Sequence, residues 1–424
     1  MRPEDLLSQK PVDYSTIYID MDSFFASVEQ YYHQELRGKP VGVATGKSMG
    51  SSIIAASYQA KQKGIYTGIR VHEAIGLCPS IQIVYGSPPL YRSVHNDIMA
   101  ILHNTICHIR AKGIDEAYLK VPSYAQHKEQ VFALSKAIKA SIYNLYNEHI
   151  YCSIGIASNI WLAKMAASYN KPNGLVCLTK HSLPKFYCGL KLTDLTGIGH
   201  RMAQQLYNRA IYTPSDLYNS SWRFISTHFG VNGQKWYLRL RGYEVDQLQV
   251  IERKSLGHQV TITGIDSDNL AKITTYCIKI SETLGYRLRS NKLYARGMSM
   301  QLAFAGGTYL DYNLKKLPLF NSNGLIIHYS KVLLKKLDKL SRLRRISITL
   351  TDLTAVDQLS ILHPPINDMS LSKALDQLED SYHSKVVLRA GSLFEKSFAL
   401  DRIGFATDEI RNSTKHQNYL KSTS

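Results

Sequence analysis

The chain has 424 residues, 44% of them hydrophobic and 20% charged, with six cysteines and a formal net charge of +18. That length exceeds what one compact core holds, so about two to four domains are expected, and no run approaches the roughly 18 apolar residues of a membrane span. The start "MRPEDLLSQKPVDY" lacks the basic-then-apolar pattern of a secretory signal, and the cysteines (78, 107, 152, 177, 188, 277) contain no C-x-x-C pair, which argues against a zinc site or a disulfide framework and suits a reducing cytosol.

In chain order, residues 15–22 read as a strand and 24–36 as a helix, and "RGKPVGV" and "SSIIAASY" as short strands around a Gly/Ser turn. "ASYQAKQKGI" is helix-like and stops at Gly64; "IQIVYG" is a strand, and 90–110 a helix. "IRAKGIDEAYLKV" has apolar residues on both sides of a polar Asp-Glu centre, as in a strand hairpin or a bulged strand. From Tyr124 to His149 the residues Val131, Leu134, Ile138, Ile142 and Leu145 recur at helical spacing. "YCSIGIAS" is a strand and "NIWLAKMAASY" a helix ended by "NKPNG". The order strand, helix, hairpin, helix, strand, with an insertion after the first helix, is that of a split βαβ, ferredoxin-like unit. From Leu192 small helices follow, opened by the Gly-x-Gly turn of "LTGIGHRMAQQLYNRAI", with a second helical stretch over about 214–242. Residues 254–354 alternate strands with two helices, a separate α/β unit. After about 356 the periodic signals are few, and "RNSTKHQNYLKSTS" has a disordered composition.

The charge is uneven: between Val231 and Arg345 there are 20 Lys+Arg against 8 Asp+Glu, so that segment supplies +12 of the +18. A solvated basic face would read the same way, but the basic residues interleave with strand-like segments, which favours a polyanionic partner such as nucleic acid.

Two acidic groups carry the chemistry. In "YIDMDSFFASVE", Asp20 and Asp22 are two residues apart, on one face if the strand continues; a polar strand end with an aspartate capping the next helix is the plain alternative. In "KGIDEAYLKV", Asp115 and Glu116 are adjacent acids flanked by apolar strand residues, costly to bury unless a cation neutralises them; alone, they could equally be a surface turn. If the ferredoxin-like order holds, the first strand and the hairpin are neighbours and Asp20, Asp115 and Glu116 converge. An all-oxygen set of that kind suits Mg²⁺, either one ion or two ions ~3.5–4 Å apart in phosphoryl transfer.

The motifs "YIDMDSFFASVE", "GIDEAYLKV", "SIGIASNIWLAKMAASYNKPNG" and "DLTGIGHRMAQQL" stand in the order and spacing of the Y-family translesion DNA polymerases, and resemble the DNA polymerase IV (DinB) branch more than the UmuC branch, over residues 15–355. The resemblance implies an α+β multidomain protein: a ferredoxin-like palm over 1–190 with a small fingers insertion at about 38–88, a helix-hairpin-helix thumb over 191–243, a C-terminal α/β little finger over 244–355 and a tail over 356–424. It implies a template-directed, low-fidelity DNA polymerase using two Mg²⁺ ions, acting as a monomer on primer-template DNA and dNTP in the cytoplasm, at the nucleoid. Asp20, Asp115 and Glu116 are then the catalytic metal ligands, with the Met21 carbonyl beside them, while Asp22 matches an acid of the motif without being assigned to metal. Phe25 takes the steric-gate position under the sugar, and Ile54 a place over the nascent base pair. Tyr58, Lys61 and Lys171 match nucleotide-binding positions, although the family usually has Arg at Lys61 and an acid at Lys120. Gly197 and Gly199, in the thumb turn, and Arg344 and Arg345, in "RRISITL", become DNA-phosphate contacts. Gln358-Leu359-Ser360-Ile361-Leu362 resembles a sliding-clamp docking peptide. A non-catalytic DNA-binding relative and a nucleotide cyclase on a similar palm are the competing readings; the cyclase predicts neither the helix-hairpin-helix nor the basic second domain.

Overall fold

The computed structural model describes residues 10–105, 109–147, 149–246, 254–262, 269–337, 342–355, 368–382, 387 and 389–392. They form two compact units, one made by the described residues up to 246 and the other by those from 254 to 392.

The first unit is built on a five-stranded sheet. Its strands are β1 (Thr16–Met21), β5 (Ile109–Ala111), β6 (Glu116–Lys120), β7 (Cys152–Ala157) and β8 (Leu175–Cys177), in the order β5-β6-β1-β7-β8. β1 is buried along its whole length and antiparallel to both β6 and β7. This is the ferredoxin-like order expected from the chain; β8, parallel to β7, extends it by a strand that the sequence did not suggest. Period-two alternation divides the sheet's faces. Ile17, Ile19 and Met21 join the core that also takes residues from the helices Pro88–Thr105 and Lys128–Leu145. Tyr18 and Tyr118 face the other way, into the core of the helix Ile160–Tyr169. That helix sits directly on β7 because Gly155 has no side chain: a Cβ there would lie 1.9 Å from the Ala163 carbonyl oxygen and 2.3 Å from the Ala167 nitrogen.

The insertion after the helix Phe24–Tyr32 is a small sheet of β2 (Val41–Ala44), β3 (Ile53–Ala56) and β4 (Gln82–Tyr85), ordered β3-β2-β4, with its own apolar cluster. Short helices Tyr58–Lys61 and Val71–Leu77 complete it; the second was not legible in the sequence. Beyond β8 come the helices Leu183–Cys188, His200–Tyr207, Pro214–Asn219 and Trp222–Leu240, the last kinked at Gly230. Leu206, Leu217, Ile225 and Trp236 from these helices share one core with Trp161 and Leu162.

The second unit is an antiparallel sheet of β9 (Ser255–Thr261), β10 (Gly297–Phe304), β11 (Tyr309–Leu314) and β12 (Leu343–Thr351), ordered β11-β10-β12-β9. The helices Leu270–Ser290 and Asn323–Leu334 share its core, the two-helix pattern read from the sequence. Although periodic signals are few after about 356, Asp368–Tyr382 is a helix. It is held by a two-pronged Arg289–Asp376 ion pair (2.6 and 2.7 Å) and by the Tyr286 hydroxyl, which donates to Asp380 at 2.8 Å. These are tertiary anchors that the spacing of apolar residues could not reveal. Residues 411–424 lie outside the described residues. Among the described residues no helix is long and apolar enough to cross a membrane.

Candidate active site

The site lies at the end of β1. In the β1–β6 ladder Asp20 is opposite Glu116, and the Met21 N–H donates to the Asp115 carbonyl at 2.9 Å, which binds the start of β6 to the end of β1. Asp20 at the end of β1, Asp115 just before β6 and Glu116 at its start are therefore neighbours, as the ferredoxin-like order required. Burial, with the charges of Asp20 and Glu116 beside it, pushes the Asp115 carboxyl up to about 6. Burial also raises the Asp20 carboxyl, against the opposing pull of Lys171.

Two lysines answer part of this negative charge. Lys171, in the loop after the helix Ile160–Tyr169, pairs with Asp20 and lies 3.9 Å from Asp22. Lys164 donates to Glu116 at 2.5 Å, and the Tyr18 hydroxyl holds the other Glu116 oxygen at 2.9 Å. Lys164 was missed in the sequence. Its signal was there, since it is the only charged residue in "IWLAKMAASY", a helix otherwise buried at Ile160, Trp161, Leu162, Ala163, Met165, Ala166 and Ala167.

Asp22 is 1% exposed and saturated with donors. The Ser153 hydroxyl lies 2.9 and 3.0 Å from its two oxygens, the Tyr58 hydroxyl donates at 3.2 Å and the Asn173 N–H at 2.8 Å. A carboxylate so occupied serves as a hub joining β1, β7, the fingers insertion and the loop of Lys171. Between Asp22 and the following helix, Ser23 adopts a left-handed backbone (φ 47°), a conformation that a non-glycine residue keeps only where its surroundings impose it.

Tyr58 and Lys61 reach the site from the insertion. The Lys61 ammonium donates to Ser23 Oγ at 2.8 Å and stands 4.6 Å from the centre of the Tyr58 ring; burial, with Lys171 nearby, lowers its pKa. Phe25 is 4% exposed and stacks on Tyr91 with ring centres 4.5 Å apart. Tyr91 in turn bonds Glu29 at 2.5 Å, a support the sequence did not suggest. Ile54 on β3 is half-buried. Lys120 lies at the other end of β6 from Glu116; it pairs with Glu244 and donates to Thr16 Oγ1 at 2.8 Å, so its charge is balanced within the fold.

Gly197 has φ +90°, and Gly199 is the N-cap of the helix His200–Tyr207; a side chain at either would meet open space, so the backbone of this turn is accessible. In the second unit Arg344 and Arg345 are exposed on β12. Gln358, Leu359, Ser360, Ile361 and Leu362 lie outside the described residues.

Among the described residues, no group of three or more His, Cys, Asp or Glu side chains is placed so that it could hold a metal ion as it stands. The chemistry of the donor set still suits a hard divalent cation: it is all oxygen, and burial raises the carboxyls of Asp20 and Asp115 despite the opposing pull of Lys171 on both.

Residues 19–168 match the impB/mucB/samB family, and residues 253–361 match the C-terminal domain of that family. DNA polymerase IV of Staphylococcus saprophyticus is 32% identical over 65% of this chain and 78% of its own length. DNA polymerase IV of Bacillus velezensis is 31% identical over 68% and 70%, and DNA polymerase IV 1 of Bacillus subtilis 25% identical over 94% and 98%. Among solved structures, a Y-family DNA polymerase chimera superposes with a TM-score of 0.69 at 25% identity, covering 80% of this chain and 99% of its own. Carboxylates at a ferredoxin-like sheet end, a fingers insertion and a four-stranded second unit agree with these matches, and the chain belongs to the DNA polymerase IV (DinB-like) family of Y-family polymerases.

Proposed function

We propose that this chain is a template-directed DNA polymerase of the translesion type, joining deoxynucleoside triphosphates to a primer 3′-hydroxyl at the site formed by Asp20, Asp115 and Glu116. What supports the reading is the pairing of Asp20 with Glu116 across the β1–β6 ladder and the bond from the Met21 N–H to Asp115 just before β6, in a chain whose relatives are named DNA polymerase IV. Nothing favours the non-catalytic alternative. The cyclase reading lacks an account of the turn at Gly197 and of the basic second unit.

In the reaction the primer 3′-oxygen attacks the α-phosphorus, a new P–O bond forms, the bond to the bridging oxygen breaks and pyrophosphate leaves. Bound divalent cations, two Mg²⁺ in our reading, supply charge neutralisation at the triphosphate and acidification of the primer hydroxyl. Asp20, Asp115, Glu116 and the Met21 carbonyl would hold them. Lys171, Lys61 and Tyr58 bind and orient the phosphates, and the Phe25 ring bars a 2′-hydroxyl. Positioning and fixed charge then provide most of the acceleration.

Gly197 and Gly199 offer backbone N–H groups to a DNA phosphate. Arg344 and Arg345 contact phosphates without reading bases, as a polymerase that copies any template requires. The regions named from sequence as palm, fingers, thumb and little finger keep those roles. We further read Gln358–Leu362 as the docking peptide for a sliding clamp, and the enzyme as a monomer working at the nucleoid.

Primer extension with Mg²⁺ on an undamaged template tests the reading. Wild type extends, and Asp115→Asn/Glu116→Gln binds the primer-template but does not. Equal binding with no extension by either would return the chain to the non-catalytic class.

A further inference from the structure

The loop Asn170–Gly174 carries Lys171, and little in it is free to move. Asn173 has a left-handed backbone (φ 55°), and a Cβ on Gly174 would lie 2.1 Å from the Asn170 carbonyl oxygen, so the loop closes tightly on itself. One side is tied to the acidic hub: the Asn173 N–H donates to Asp22 and the Gly174 N–H to Ser153 Oγ at 3.1 Å. The other side is tied by a residue no motif singled out. Lys139 lies beside Ile138 on the helix Lys128–Leu145, at the margin of the stripe Val131, Ser135, Ile138, Ile142 that this helix buries. Its ammonium donates to the carbonyls of Cys152 (3.0 Å), Asn173 (2.6 Å) and Gly174 (3.0 Å). An ammonium has three protons and no more, so its full hydrogen-bonding capacity goes to the start of β7 and to this loop.

We propose that Lys139 is a positioning residue for nucleotide binding, fixing through its three carbonyl bonds the loop from which Lys171 meets the triphosphate. The inference rests on the reading of Lys171 as a phosphate ligand. Lys139 itself touches no substrate. Asn173 is gripped at both ends, its N–H by Asp22 and its carbonyl by Lys139, and Lys171 is two residues upstream. Without Lys139 the carbonyls of Cys152, Asn173 and Gly174 are deprived of a charged donor, the left-handed turn keeps only its tie to Asp22 and Ser153, and the Lys171 ammonium is held less firmly in one place. Even a shift of about 1 Å in a group that positions substrate can cost rate or affinity heavily.

The test is single-nucleotide incorporation by wild type, Lys139→Met, Lys139→Arg, Lys171→Ala and the Lys139→Met/Lys171→Ala double variant, with KM for dNTP, kcat, primer-template Kd and Tm measured for each. Lys139→Met is expected to raise KM for dNTP about tenfold while kcat and the DNA Kd change about twofold or less. Lys139→Arg, which keeps charge and donors, restores much of the affinity, and in the Lys171→Ala background Lys139→Met adds nothing further to KM. An unchanged KM, or effects of Lys139→Met and Lys171→Ala that multiply, overturns the proposal and leaves Lys139 a packing residue. A Lys171→Ala variant with the wild-type KM overturns the phosphate reading of Lys171, and the role of Lys139 with it. If Lys139→Met does not fold, Lys139→Gln, which keeps a polar stem but loses the charge and the three-proton donor, carries the same comparison alone and combined with Lys171→Ala.

Discussion

Asp20 and Glu116 stand opposite each other across the β1–β6 ladder, and each carries its own lysine, Lys171 on Asp20 and Lys164 on Glu116. The two acids thus share a face without sharing a counter-ion, and Asp115, next in chain, has neither lysine as its hydrogen-bonded partner among the described residues. Its carboxyl is raised by burial first and then by the neighbouring charges of Asp20 and Glu116.

Replacing Asp115 by Asn should reduce primer extension by about 10²-fold or more, the scale of removing one charge-stabilising group from an active site. It should also raise Tm in cation-free buffer, because a buried charge repelled by Asp20 and Glu116 is gone. Thermal unfolding in EDTA checks this, and a fall of several degrees would mean that the carboxylate is held for structure.

Phe25 faces two demands, since it stacks on Tyr91 inside the core and is read as the sugar gate. Phe25→Ala should raise ribonucleotide incorporation by about tenfold or more, at a cost of about 3–5 kcal/mol in stability. Phe25→Leu should shift selectivity in the same direction with a smaller loss of stability. Competition between rNTP and dNTP measures the selectivity of both variants, and unchanged sugar selectivity in a folded variant removes Phe25 from the gate.

Lys61 offers a point charge where the resemblance leads one to expect a guanidinium. Lys61→Arg should lower KM for dNTP several-fold, because Arg can grip two phosphate oxygens in a fixed fork. A higher KM instead would show that the Lys61–Ser23 bond matters more than the phosphate contact.

Gly155→Ala should be among the most damaging single-methyl changes in the first unit. The new Cβ meets the Ala163 carbonyl at 1.9 Å, backbone that cannot yield without moving the whole helix. Destabilisation by about 3 kcal/mol or more is expected, and Lys164 would be carried away from Glu116 with the helix. Denaturant unfolding reads the first effect; primer extension by the folded fraction reads the second.

DNA affinity should fall steeply with salt, with a log–log slope near 0.9 per neutralised phosphate. Arg344→Ala and Arg345→Ala should each weaken binding equally on unrelated sequences and lower that slope by about 1. A slope untouched by both would place the DNA grip elsewhere.

Much of this protein was determined locally by its sequence. The apolar strand that runs into Asp20, the helical spacing of Val131, Ile138 and Ile142 and the apolar flanks of Asp115 and Glu116 each state an element that near neighbours in the chain decide. The split βαβ order then makes the two acidic groups adjacent, and the β1–β6 pairing shows that adjacency, so a candidate site could be proposed before any contact was seen. What only the tertiary structure decided are contacts between residues far apart in sequence. Lys171 on Asp20, Ser153 and Asn173 on Asp22, Tyr91 under Phe25, Lys120 on Glu244 and Lys139 on the 173–174 carbonyls leave no periodic trace, because a long polar side chain can reach in many directions from one backbone position. The helix Asp368–Tyr382 escaped for a related reason: it is anchored by Arg289 and Tyr286 from another part of the chain, an attachment set by packing and charge pairing.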